Sequence, residues 1–277
     1  MTKNLKNPRI ILVKIKKYNR FKDIAKSIQL ISISILSRYT EFVVQKEYFF
    51  SLFFFYGLES LSQYNWSSDL FCSKYYFVVY STDRSCSGAL NSRIFKKVNL
   101  ILKFSFNIDY LIFSIGLASY FFFKKKYRKA FLLSFYSFEI NSFDFVSFYL
   151  SHLLFKSNNC DRIFFVFNLY VSRMIQKSVY YTIPSYEIYW SNLWKLKHFF
   201  GFFFKNLDYN YDFLLLFVYS KCFFENELSS YGSRAKTMEN AVSNTLNTIS
   251  FLKLKYNRLR QSSITRDIIE ILNALIA

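Results

Sequence analysis

The chain has 277 residues, 36 of them phenylalanine and 23 tyrosine, with 37 Lys and Arg against 18 Asp and Glu, for a formal net charge of +19. Four scattered cysteines (Cys72, Cys86, Cys160, Cys222) show no close pairing or metal-ligand spacing, and the two histidines, His152 and His198, belong to no recognisable ligand set. The apolar runs at 49–58 and 110–123 fall short of the ~20 residues a spanning helix needs, so a disulfide framework, a metal site and a transmembrane anchor are all set aside.

A surplus of positive charge this large ordinarily points to nucleic acid or an anionic membrane. Here the favoured residues, Phe, Tyr, Lys, Asn and Ile, mostly have AT-rich codons, while there are only five glycines and two prolines. An AT-rich gene, such as an organellar one, supplies many of the lysines without any partner for them.

In chain order, the first predicted element is an amphipathic helix. Phe21, Ile24, Ile28, Ile31 and Ile35 recur at three-four spacing, with Lys22, Asp23, Lys26, Gln29, Ser32 and Ser34 on the other faces, which is the seam of a helix wound against a partner. An apolar, β-branched and aromatic run at 75–81 reads as a strand. It ends in Thr82-Asp83-Arg84-Ser85-Cys86-Ser87-Gly88-Ala89-Leu90-Asn91-Ser92 and feeds a helix over 93–103. A strand at 110–115, a helix at 143–155 and a strand at 162–167 follow, and 186–211 is too aromatic and irregular to assign.

Strands alternating with helices imply βαβ units and a mainly parallel sheet covered on both faces. Asp83 and Arg84, at a strand-helix turn, are candidates for a catalytic carboxylate or a phosphate cradle. With no Gly-x-Gly-x-x-Gly and no Lys-Ser/Thr after a glycine loop, capping and turn structure are the better account of them.

The last element is the longest, covering 225–277. Met238, Val242, Thr245, Ile249, Leu252, Tyr256, Leu259 and Ser263 alternate at four and three. The seam then shifts by one and resumes as Ile264, Ile268, Ile271 and Leu275, a stutter that alters supercoil without ending the helix. From Arg234 to Ala277 there is neither glycine nor proline, and at ~1.5 Å per residue that span is roughly 65 Å long. Two terminal helices flanking a large body most simply pair as an antiparallel coiled coil. The expected fold is α/β: an antiparallel coiled coil of N- and C-terminal helices plus a Rossmann-like α/β globular domain, divided as 14–60, 70–215 and 216–277.

The tail Tyr256-Asn257-Arg258-Leu259-Arg260-Gln261-Ser262-Ser263-Ile264-Thr265-Arg266-Asp267-Ile268-Ile269-Glu270-Ile271 resembles the C-terminal helix of the gamma subunit of rotary ATP synthases. That family's pattern is Phe/Tyr-Asn, two residues, Arg-Gln, two residues, Ile-Thr, an acidic residue and Glu-Ile. Glu225, Ser229, Arg234, Met238, Asn240 and Ala241 match the segment leading into it, although Ser230-Tyr231 stand where members often carry Glu-His. Residues 14–36 are similar to the family's first helix. Residues 82–91 resemble its Ser-Asp-Arg/Lys-Gly-Leu-Cys-Gly-Gly-Leu-Asn signature, with Ser85, Ser87 and Ala89 replacing two glycines and a cysteine. A fourth likeness covers 161–168, with Tyr170, Ser172 and Pro184.

The resemblance implies a non-catalytic central-stalk rotor that couples proton-driven rotation to conformational change in catalytic beta subunits, with no cofactor and no nucleic acid. Its implied partners are the alpha and beta subunits, an epsilon/delta-type stalk subunit and the membrane ring of c subunits. Implied beta-subunit contacts are Ile28, Arg260, Gln261, Ile264 and Thr265; the bearing tip is Ile268, Ile271, Leu272 and Leu275; the strand-turn-helix of the foot is Ser81, Asp83, Arg84, Gly88, Leu90 and Asn91. Lys253, Lys255, Arg258 and Arg260 crowd one part of the tail helix, either as a solvated face or as a shaft surface facing acidic groups.

The likeness begins by Lys14, so little room is expected for a removable presequence. The expected place is the mitochondrial inner membrane, peripheral on the matrix side, or the equivalent face of a bacterial cytoplasmic membrane. A basic RNA- or ribosome-associated organellar protein is the competing reading; it accounts for charge and aromatics but not for the ordered motifs. A dinucleotide-dependent enzyme is a third, and it lacks a phosphate loop.

Overall fold

The computed structural model describes residues 8–57, 74–104, 109–135, 162–184 and 207–276. The helix expected at 143–155 and most of 186–211 lie outside them. The elements are α1 (Pro8–Gly57), β1 (Lys74–Tyr80), α2 (Leu90–Phe104), β2 (Asp109–Ile115), α3 (Leu117–Lys126), β3 (Phe131–Phe135), β4 (Arg162–Tyr170), β5 (Gln176–Pro184) and α4 (Leu207–Ile276). The chain divides into two compact units, Met1–Ile33 with Ala235–Ala277, and Ser34–Arg234.

The larger unit is built on a five-stranded sheet in the order β3-β2-β1-β4-β5. β1 pairs in parallel with both β2 and β4, β2 in parallel with β3, and β4 antiparallel with β5. Side chains alternate across a strand, so β1 serves two cores at once. Phe77 and Val79 face one side with Ile94 and Val98 of α2, Phe123 of α3, Ile112, Phe164 and Val166. Tyr76, Val78 and Tyr80 face the other with Phe113, Ile163, Phe165 and Phe167.

That second face is covered by α4. Leu215, Val218, Tyr219, Cys222 and Phe223 recur at the three-four spacing of one helix stripe and are buried in the same cluster. Tyr219 meets Phe165 edge-on with ring centroids 4.9 Å apart, an arrangement that adds roughly 0.5–1.5 kcal/mol beyond area burial. The sheet is therefore sandwiched between α2 with α3 and the early part of α4.

The apolar run at 110–123 is two elements, not one. Gly116, at φ 107, separates β2 from α3, and a Cβ there would lie 2.5 Å from the Ser81 carbonyl oxygen. Only glycine fits, both for its torsion and for that approach.

In the smaller unit, Ile11 and Ile15 of α1 bury against Ile249 and Leu252 of α4, with Tyr256 and Leu259 packed alongside. Every position of the expected α4 seam from Met238 to Ser263 is buried or half-buried. The seam expected on α1 needs correction. Phe21, Ile24 and Ile31 are exposed, Ile28 and Ile35 half-buried, and the most enclosed positions between 21 and 35 are Ala25 and Ser32. The buried line runs one residue over, through Lys22, Ala25, Gln29 and Ser32. Of these, Ala25 and Ser32 are small and buried, and Lys22 and Gln29 are half-buried. Ser32 answers its own hydroxyl by donating to the Ile28 carbonyl at 2.7 Å.

Candidate functional site

β1 has a parallel neighbour on each side, which makes its carboxyl end the place where open α/β sheets usually leave a ligand crevice. Here that end is filled by α4. The Asn226 side-chain amide donates to the Ser81 carbonyl at 3.3 Å, Ser229 Oγ to the Asn168 carbonyl at 2.9 Å, and Ser233 Oγ to the Ser87 carbonyl at 2.8 Å. Asn168 donates to Asn226 at 3.3 Å, and the Glu225 carboxylate accepts from the Tyr170 backbone N–H at 3.1 Å. Asn226 and Ser229 are almost fully buried, and each bond satisfies a group that would otherwise cost about 1–3 kcal/mol to bury.

The turn after β1 is held from within. Thr82 N–H donates to Asn91 Oδ1 at 3.1 Å and Asn91 Nδ2 donates to Thr82 Oγ1 at 2.9 Å, while Thr82 Oγ1 and Ser87 Oγ lie 2.9 Å apart. Leu90 is buried beneath the start of α2. Left-handed backbone falls at Cys86 (φ 65) and Gly88 (φ 64). Ser85 and Ala89, where the resembling pattern has glycines, need no left-handed torsion, so their substitution costs no backbone strain.

Asp83 is a capping residue, though not for the helix that follows it. Its carboxylate accepts the Leu117 N–H at 2.6 Å, at the N-terminus of α3 and 34 positions away, where a negative charge meets the positive helix end. Ser81 supports the same terminus: the Ser119 N–H donates to Ser81 Oγ at 2.9 Å. Sequence reasoning missed this because α3 was hidden in a continuous apolar run.

The Arg84 guanidinium sits 5.1 Å from the Tyr231 ring centroid, and Tyr39 of α1 lies against the same ring at 5.6 Å. Glu227 of α4 faces this group. Burial, then the nearby Asp83 carboxylate, push its pKa up from 4.5 to about 7, with Arg84 pulling the other way. The same burial raises the Tyr231 phenol, to which Glu227 adds and from which Arg84 subtracts. Thus Ser81, Asp83, Arg84, Gly88, Leu90 and Asn91 come together in one region. Glu227, Asn226 and Ser233 belong with them, and only their helical spacing from Glu225 could have signalled it.

The other expected residues lie in the smaller unit. Arg260, Gln261, Ile264 and Thr265 are exposed, as are Ile268, Ile271, Leu272 and Leu275, the last at 76%. Lys253 and Arg258 are exposed and Lys255 is half-buried. Thr265 Oγ1 donates to the Gln261 carbonyl at 2.9 Å. No group of acidic, cysteine or histidine side chains able to hold a metal occurs among the described residues, and none of their helices is long and apolar enough to cross a membrane.

The structure is thus an α/β body with the carboxyl end of β1 occupied by its own last helix, and a helix pair bearing exposed apolar and basic residues. The sequence model of the ATP synthase family matches residues 7–277. The mitochondrial ATP synthase subunit gamma of Trypanosoma brucei brucei is 26% identical, over 96% of this chain and 91% of its own. The ATP synthase gamma chain of Buchnera aphidicola is also 26% identical, over 97% of each. Among solved structures, a chain in the Euglena gracilis mitochondrial ATP synthase OSCP/F1/c-ring assembly superposes with a TM-score of 0.73. It has 19% identity and covers 97% of this chain and 93% of that one. The chain belongs to the ATP synthase family, and the relatives it matches along their length are gamma subunits.

Proposed function

We propose that this chain is the central-stalk rotor subunit of a proton-translocating ATP synthase, a non-catalytic component that couples rotation of the membrane ring to the conformations of catalytic beta subunits. The observation that carries the reading is the family match over residues 7–277, with gamma-subunit relatives aligned over 91% and 97% of their own length. The fold supports it, because the crevice at the end of β1 is filled by Asn226, Ser229 and Ser233.

In this reading 14–60 and 216–277 form an antiparallel coiled-coil shaft and 70–215 the foot. The alpha and beta subunits surround the shaft, while an epsilon/delta-type subunit and the c-subunit ring hold the foot. The complex sits on the mitochondrial inner membrane, with this subunit peripheral on the matrix side. Its mitochondrial and bacterial relatives both support a stalk on a membrane-bound complex.

A rotor redistributes beta conformations only through contacts that differ between them, and reversing a 1:99 preference takes ~5.5 kcal/mol. Several groups must act together. Arg260 and Gln261 supply charge-assisted and amide donors, Ile264 and Thr265 follow in the next turn, Ile28 on α1 is a further contact away from them, and Ile268, Ile271, Leu272 and Leu275 form an apolar tip that turns in the ring.

The test is the double substitution Arg260→Ala with Gln261→Ala in the host complex. ATP synthesis driven by a proton gradient should fall by about tenfold, the equivalent of ~1.4 kcal/mol, while alpha and beta subunits still co-purify with the chain. Normal synthesis by the assembled variant removes these two residues from the mechanism. A chain that never co-purifies with alpha and beta overturns the rotor reading itself.

A further inference from the structure

Two glutamates of α4 stand two positions apart near the carboxyl ends of β1 and β4, and the fold treats them differently. Glu225 accepts the Tyr170 N–H. The half-buried Glu227 takes no hydrogen bond and no ion pair through its carboxyl from any described residue. Arg84, the cation that acts on it, lies instead over the ring of Tyr231, 5.1 Å from the centroid. Glu227 and Tyr231 are four positions apart on one helix, so they share a face and are separated by one turn, about 5.4 Å. One guanidinium therefore has two places to rest against α4, a ring that it covers and a carboxyl that it does not pair with.

The groups facing Glu227 come from three elements. The turn after β1 brings Asp83 and Arg84, α1 brings Tyr39, and α4 itself brings Tyr231, on which Arg234 also acts. With the Asp83 carboxylate capping α3, a charge on Glu227 makes two carboxylates for one guanidinium. A protonated Glu227 offers Arg84 no Coulomb attraction, and the aromatic face is then the better contact. An ionised Glu227 accepts charge-assisted, bidentate hydrogen bonds, which outrank a cation over a ring. Arg84 is exposed, so its long side chain crosses from one place to the other without disturbing the core.

We infer that Arg84 is a two-position latch set by the proton on Glu227: it fastens the turn after β1 to Tyr231 while Glu227 is protonated, and to Glu227 once that proton is lost. The switch moves the attachment of the turn along α4 by one helical turn, between two discrete arrangements. It also uncovers the Tyr231 ring, against which Tyr39 of α1 lies at 5.6 Å, so α1 registers the change. Burial, and after it the Asp83 carboxylate, hold the Glu227 proton up to a pH of about 7, inside the physiological range. Rising pH moves Arg84 to Glu227, and falling pH returns it to Tyr231. Every residue involved belongs to the larger unit, and the latch stands whether or not the chain turns as a rotor.

The experiment compares the complete chain at about pH 6 and about pH 8. Density maps at the two values, from the chain with whatever subunits purify with it, should show Arg84 over Tyr231 at the lower pH and within hydrogen-bond distance of the Glu227 carboxylate at the higher. Unfolding curves give the second readout. Arg84→Ala should shift the unfolding equilibrium about fivefold more at the higher pH than at the lower, because it removes a charge pair in one case and a ring contact in the other. In a Glu227→Gln background the same substitution should cost equally at both values, with Arg84 resting on Tyr231 throughout.

Arg84 found on Tyr231 at both pH values in the parent chain overturns the latch. So does an Arg84→Ala cost that is the same at both values, or a pH-dependent cost that persists in the Glu227→Gln background, since a merely structural Glu227 would leave it unmoved. Failure of the chain to co-purify with alpha and beta subunits bears on the rotor reading alone, so the two failures are distinguishable.

Discussion

Two stretches of the same helix, 225–233 and 264–275, make opposite use of their side chains. The first carries Glu225, Asn226, Ser229, Ser230 and Ser233 yet is mostly buried, because Glu225, Asn226 and Ser229 find a carbonyl or N–H at the end of β1 or β4 and Ser233 finds the Ser87 carbonyl. The second carries Ile264, Ile268, Ile271, Leu272 and Leu275, and all of them are exposed. Burial thus follows the supply of partners rather than the hydropathy of the residue. A polar segment with its hydrogen bonds met is part of the core, and an apolar one with nothing against it within the chain is a surface awaiting a neighbour.

The contrast is broken most severely at Gly116. Gly116→Ala combines a torsion at φ +107 with a Cβ 2.5 Å from the Ser81 oxygen, so the cap at α3 and the seat of α4 on Ser81 are both displaced. Stability of the foot should fall by about 3 kcal/mol or more, read as a drop in the midpoint of chemical unfolding. A change below about 0.5 kcal/mol would show that the strand end tolerates being moved.

Glu227 sharpens the comparison from the buried side. Its folded pKa of about 7 lies above the unfolded 4.5, so the native state keeps a proton the unfolded chain has released. The stabilisation is full below pH 4.5, is lost as pH rises through 7, and changes no further above it. Glu227→Gln should abolish this slope and leave the foot more stable than the parent above pH 7, by at most ~3 kcal/mol. Unfolding curves across pH 4–8 that stay parallel for the two proteins would count against the assignment.

At the bare end the expected effect on the chain alone is smallest. Ile268→Ser with Ile271→Ser should shift stability by within about 0.5 kcal/mol, because neither residue loses a burial it has. The same variant in the assembled complex should slow proton-driven synthesis. A large loss of stability in the isolated chain would mean that these side chains already pack against something.

The difference between the two stretches also explains what was legible in the sequence. The seam from Met238 to Ser263 is marked residue by residue, because its period is regular and Ile249, Leu252, Tyr256 and Leu259 within it meet the apolar Ile11 and Ile15. The seam of α1 misleads by one position, since Ala25 and Ser32 lie in the contact and Phe21, Ile24 and Ile31 outside it. Hydrophobic periodicity locates the most apolar stripe, which on this part of α1 is not the enclosed one. Strands β1, β2 and β4 announce themselves as apolar runs, whereas α3 is masked behind β2 until Gly116 separates the two, and β3 is only five residues long. Asp83 and Arg84 were legible as turn and cap, but their true partners, Leu117 and Tyr231, lie far along the chain. Spacing within a motif carries no information about such distances.

The covering of one sheet face by Leu215, Val218, Tyr219, Cys222 and Phe223 sets a schedule for biosynthesis. All five strands leave the ribosome before that helix does, so Tyr76, Val78, Tyr80, Phe165 and Phe167 form an apolar surface without that cover while the chain is still growing. Contacts this distant in sequence form late, and such exposed surface is what aggregates or recruits chaperones. A chain interrupted before residue 215 would therefore be a sticky half-sandwich rather than a shorter version of the foot.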